Sequence, residues 1–177
     1  MRNKKGFTLI ELLATIVVLG IIMIVAIPNI VGILSNNRNS VYIEDAKKLV
    51  STAEYRFRAN TGDIVKPDDG ECIIISLEYL DNSEFENAPN NGQYLKDNSG
   101  VVIFRDGNQY RYYVRLVEQL PKNAGYRGIS FRESSALYGD NTSNLVSEFD
   151  RNDIYGHITD QHFEYDHLNF CEVIQGY

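Results

Sequence analysis

Residues 12–34, LLATIVVLGIIMIVAIPNIVGIL, constrain this chain more than any other stretch. Only Thr15, Pro28 and Asn29 interrupt their apolar character. A helix of about 20 such residues crosses a hydrocarbon layer roughly 30 Å thick. Arg2, Lys4 and Lys5 precede the run, and after Glu11 no charge appears until Arg38. By the positive-inside rule the basic end stays in the cytoplasm, and everything after Ser35 is translocated. A secretory signal peptide would need a shorter run and an A-x-A-like cleavage site. Here the run is long and VAIPNI is a poor site. A plain anchor explains the length and the basic flank but not Glu11. A carboxylate in a bilayer costs a few kcal/mol and usually has a partner and a role.

The segment KKGFTLIELL, residues 4–13, supplies the role. It closely resembles the N-terminus of the type IV pilin and pseudopilin family, and the resemblance covers about the first 30 residues. It implies cleavage by a prepilin peptidase between Gly6 and Phe7, followed by methylation of the new amine. Phe7 becomes the first mature residue and Glu11 the fifth, the family's acid position. Pro28 falls where the family commonly has a proline, and a helix kink is expected there. A bare amine on Phe7 is cationic at neutral pH, and a carboxylate from a neighbouring subunit can neutralise it in lipid. Desolvation offsets much of that attraction, so the pair sets register between subunits more than it adds stability. Family members that cap a fibre tip tend to lack the acid, so Glu11 implies a shaft subunit.

The resemblance also implies a fold and partners. The fold class is α+β, with a long N-terminal helix packed on an antiparallel β-sheet head. The expected divisions are a leader at 1–6, a transmembrane and assembly helix at 7–34, its amphipathic half at 35–60, and a globular head at 61–177. The implied partners are other pilin subunits, the peptidase, the assembly machinery in the membrane, and the lipid bilayer before assembly.

The residues themselves support this layout. Tyr42, Ala46, Leu49, Val50, Ala53 and Phe57 recur at three- and four-residue spacing, one apolar stripe on a helix. Asn60-Thr61-Gly62 supplies a stop. GECIIISLEYLDNSEF begins with an apolar burst and continues into a helical turn around Ser76–Asp81. Val101–Arg105 and Gln109–Val117 read as a hairpin across Asp106-Gly107-Asn108. Alternation puts Tyr110, Tyr112, Val114 and Leu116 on one face, with Arg111, Tyr113 and Arg115 on the other. YRGISFRE reads as a further strand, residues 138–161 as a polar loop region, and HLNFCEVI as a final strand.

Cys72 and Cys171 match neither a CxxC redox site nor a four-ligand zinc site. Both are expected outside the cytoplasm, where a disulfide between them persists. The common family disulfide joins two cysteines near the C-terminus, and this pair departs from it. His157, His162 and His167, five residues apart, gather on neither a helix face nor a strand face, so no metal site is expected from them. Asp150, Asn152, Asp153 and Asp160 are oxygen ligands of the kind calcium takes, but their spacing is not that of an EF-hand.

No phosphate loop, HExxH or GxSxG motif occurs, so no catalytic residues, no metal and no cofactor are assigned and the chain is not read as an enzyme. The net charge of −7 argues against nucleic acid as a partner. Loss of the leader would leave 14 Lys and Arg against 24 Asp and Glu. A DNA-binding reading would need a basic stripe, for which Arg111, Arg115, Arg127 and Arg132 are the candidates against a background of solvated surface arginines. The reading is a pilus subunit serving adhesion, twitching motility or related surface functions. The alternative is a pseudopilin of a type II secretion or DNA-uptake machine. A rival from another class is a membrane-anchored binding module or enzyme with a prepilin-like N-terminus.

Overall fold

The structure is a computed structural model that describes residues 7–60, 64–80, 85, 87–154, 158–159, 162–163 and 171. The chain divides into two compact units, Met1–Asn37 and Arg38–Tyr177. One helix, α1 (Leu9–Ala59), contributes to both. Its apolar N-terminal part is long and apolar enough to cross a membrane, and large side chains such as Leu9, Ile16, Ile24 and Ile33 are exposed on every side. A helix that is apolar all round needs a non-aqueous surround. The Thr15 hydroxyl donates to the Leu12 carbonyl at 2.7 Å, so that group needs no outside partner. The helical backbone runs through Pro28.

The second unit begins inside the helix, so residues 38–59 of α1 belong with the head. After α1 come β1 (Cys72–Ser76), the single turn α2 (Leu77–Leu80), β2 (Gln93–Tyr94), β3 (Gly100–Asp106), β4 (Gln109–Gln119), β5 (Tyr126–Glu133) and β6 (Val146–Phe149). These strands form one antiparallel sheet in the order β1-β3-β4-β5-β6. β4 is long enough to hold two neighbours on one edge: β3 along residues 109–115 and β2 at Glu118 and Gln119. A small hairpin, β7 (Ile158–Thr159) with β8 (His162–Phe163), forms a separate two-stranded sheet. The fold is therefore α+β, a long helix packed with an antiparallel sheet.

The helical stripe is the core. Tyr42, Ala46, Leu49, Ala53 and Phe57 are almost wholly buried against Ile75, Val101, Ile103, Val114, Leu116 and Ile129. Each large apolar side chain sequestered this way contributes about 1.5–3 kcal/mol, and the two alanines let the helix approach the sheet closely. The opposite sheet face carries a second apolar cluster: Ile74, Val102, Phe104, Tyr113 and Phe131. This is why β1 reads as an unbroken CIII run rather than an alternating one: it is covered on both sides.

The register between β4 and β5 shifts once. Val114 pairs with Arg132 and Leu116 with Ile129, so Ser130 and Phe131 together face Arg115, a β-bulge on β5. Next to it, Gly128 leaves room for the β4 backbone. A Cβ there would sit 1.9 Å from the Leu116 carbonyl oxygen, so no other residue fits.

The structure departs from the sequence reading in the region read as polar loop. Residues 146–149 form β6, which extends the sheet beside β5. The alternation there is hidden because only Val146 is buried, while Ser147 and Glu148 are exposed. β2 also escaped notice, being two residues long. The final strand expected over 167–174 lies outside the described residues except for Cys171, which is helical.

Candidate functional site

The N-terminal segment is built from a reciprocal pair. Thr8 sits just before the first helical residue, and the Glu11 backbone N–H donates to Thr8 Oγ1 at 3.3 Å. In return, Glu11 Oε2 accepts from the Thr8 backbone N–H and from the Thr8 hydroxyl, each at 2.8 Å. This is a capping box of the T-x-x-E type, and it satisfies two orphan donors at the helix start. Such a cap contributes about 1 kcal/mol. The acid therefore has a task within its own chain, one that the Thr8-Leu9-Ile10-Glu11 spacing carries in the sequence. Phe7 is 87% exposed. Gly6 lies outside the described residues.

In the head, the least expected group is Glu118, which is fully buried between helix and sheet. Its Oε1 accepts from the backbone N–H groups of Asn90 at 3.1 Å and Gly92 at 2.8 Å. Its Oε2 accepts from the Asn90 side-chain amide at 3.0 Å and from the Tyr42 hydroxyl. Asn90 also donates to Tyr42 Oη at 2.8 Å. One carboxylate thus ties α1, the segment before β2, and β4 together. Burial raises the Tyr42 phenol far above its ordinary range, and the hydrogen bond to Glu118 adds to the shift. Tyr42 stays protonated and donating. One turn further on, Tyr94 donates to Asp45 Oδ2 at 2.6 Å, and burial lifts that phenol likewise. Burial also raises the Asp45 carboxyl, against the pull of Tyr94 and Lys48. Position 118 offered a signal: it continues the inward face of β4 beyond Leu116, so an acid there has to be buried and bonded.

The four arginines do not form a stripe. Arg115 is buried, its guanidinium 5.3 Å from the centre of the Phe131 ring and 5.9 Å from that of Phe149. It donates to the Asp153 carbonyl at 2.7 Å. It is therefore not a solvated surface charge. Arg111 forms a two-pronged pair with Glu133 at 3.2 and 3.0 Å. Arg127 donates to Asn39 Oδ1 at 3.1 Å and lies 3.7 Å from Glu148. Arg132 donates to the Phe131 carbonyl. These guanidiniums hold the fold.

Cys72 and Cys171 form a disulfide, with Cα atoms 5.7 Å apart. It joins the first residue of β1 to a point 99 residues along the chain. His157, His167 and Asp160 lie outside the described residues, as do the side chains of His162 and Asn152. Asp153 accepts from the Asp150 backbone N–H at 3.1 Å, a turn contact. Among the described residues no group of three or more His, Cys, Asp or Glu side chains is placed to hold a metal ion.

One turn is strained. Between β4 and β5, Lys122 and Asn123 are consecutive left-handed residues with φ of 59° and 57°. The cost, roughly 1–2 kcal/mol, falls chiefly on Lys122, because asparagine tolerates the left-handed region.

Residues 1–27 match the family model for the prokaryotic N-terminal methylation motif. That motif is the class III signal of type IV pilins, so the chain carries a prepilin-type N-terminus on an α+β protein. No curated protein and no solved structure matches the chain. The signal implies processing by prepilin peptidase and assembly with other pilin subunits in a membrane machinery. It points to a structural subunit, type IV pilin-like or pseudopilin. Together with the exposed apolar helix, it fits membrane anchoring before assembly.

Proposed function

We propose that the chain is a structural subunit of a type IV pilus. It is cut between Gly6 and Phe7, methylated on the Phe7 amine, and polymerised through the apolar part of α1. The observation that carries this reading is the methylation motif at residues 1–27, joined to a helix whose apolar residues are exposed on all sides. Before assembly the N-terminus lies in the cytoplasm, and the head stands on the far side of the membrane.

Glu11 has two tasks in this reading. Among the described residues, Thr8 engages one carboxylate oxygen, Oε2. The other oxygen meets the Phe7 amine of the next copy. The capping box fixes the carboxylate before the neighbour arrives, so less freedom is lost on assembly. Pro28 provides a place where the helix loosens as it packs among others.

Peptide mapping of the chain from its native membrane, followed by deletion of its gene, tests the proposal. A mature terminus at methylated Phe7, with loss of surface fibres on deletion, is the expected result. A retained Met1 leader would favour a membrane-anchored module of another kind. Correct processing with secretion or DNA uptake lost, and no fibres to lose, would favour a pseudopilin.

A further inference from the structure

We propose that the head carries a binding site for a neutral saccharide in the cleft between the β4–β5 turn and the end of β6. The cleft has a volume of about 440 Å³, inside the range of sites that hold small ligands. Among the described residues it is lined by Gln119, Asn123, Tyr126, Phe149, Asp150 and Arg151. Tyr126 and Phe149 are paired across β5 and β6, which puts two aromatic residues on the same face of the sheet.

The lining selects the ligand class. One carboxylate and one guanidinium leave the cleft without net charge, which disfavours a polyanion. Two side-chain amides, a carboxylate and a guanidinium together accept from and donate to hydroxyl groups. Gln119 Nε2 donates to Asn123 Oδ1 at 3.0 Å. That bond leaves the Gln119 carbonyl oxygen as an acceptor and the Asn123 NH₂ as a donor, the pair that a sugar's hydroxyl can satisfy in both senses. The aromatic pair offers apolar area for the C–H face of a sugar ring while adding little conformational freedom to lose.

The backbone gives an independent reason. Asn123 is held in the cleft wall by two successive left-handed residues, followed by Gly125 at φ 124°. Asparagine tolerates that conformation, but lysine seldom adopts it. A strained turn that aims a polar side chain into a cleft is the kind of feature found at ligand clamps.

Saturation-transfer NMR on the purified full-length chain, in a detergent without sugar groups, tests the site. The probes are glucose, galactose, mannose, N-acetylglucosamine and their β-linked disaccharides, with a sulfated disaccharide as the anionic arm. Saturation of ring protons on at least one neutral probe is expected. Asn123→Gly keeps the backbone and removes the amide, and Arg151→Ala removes an exposed donor. Each should weaken binding about tenfold with unchanged melting temperature. Absence of binding by every neutral probe, binding of the sulfated probe alone, or binding indifferent to both substitutions would overturn the proposal. So would loss of fibre assembly in Asn123→Gly with no sugar bound, which would assign the cleft to contact between copies.

Discussion

Glu118 shows how one residue can hold three elements. Four donors converge on it from Tyr42, which is fully buried, and from Asn90 and Gly92, which are half-buried. Removing the acceptor costs about 1–3 kcal/mol for a fully desolvated group such as the Tyr42 hydroxyl, and less for the half-buried amides that water can reach. Glu118→Ala should therefore destabilise the head by about 3 kcal/mol, a drop of roughly 6–12 °C in Tm for a chain of this size. Thermal unfolding followed by near-UV circular dichroism measures it, and a loss below about 1 kcal/mol would contradict the clamp. Asp45 adds a pH dependence. Its carboxyl is raised above its ordinary value of 3.8, chiefly by burial. The folded chain then holds that proton more tightly than the unfolded chain. Its contribution to stability is present at low pH and declines as pH rises through the raised value. Denaturant midpoints at about pH 4 and pH 7 should differ less in Asp45→Asn than in the parent chain. An unchanged difference would show that Asp45 is not the group responsible.

At the scale of elements, the disulfide and the helix–sheet seam divide the work. The bridge closes a loop of 99 residues, for which chain entropy predicts up to about 4.7 kcal/mol, with typical values of 2–4. The double variant Cys72→Ser/Cys171→Ser should lose stability in that range, read from chemical denaturation. A loss near zero would mean that the reduced chain is already restrained. The apolar stripe from Tyr42 to Phe57 and the hairpin around Gly107 were legible in the sequence, because each has a strong period and clear end signals. β6 was not legible, because just one of its four residues is buried. Nor was the fate of Arg115: its position on the outward face of β4 suggested solvent, but a second apolar cluster covers that face. Alternation tells which residues share a face. It does not tell whether the face meets water.

For the whole molecule, the N-terminal segment carries its message in local spacing, and the head does not. The glycine, aromatic and acid at fixed separation identify the signal, and the acid also forms the capping box with Thr8. The Glu118 clamp joins residues 42, 90 and 118, and no local pattern links them. The two units thus follow different rules: the first is specified by sequence neighbours, the second by long-range packing within one chain. In the proposed pilus, Glu11 meets the Phe7 amine of an adjacent subunit. Fibre yield from cells expressing Glu11→Ala tests that claim most directly. The expected result is a chain that is cut at Phe7 and retained in the membrane but scarce in sheared fibres. Fibres formed at the parental level would contradict it.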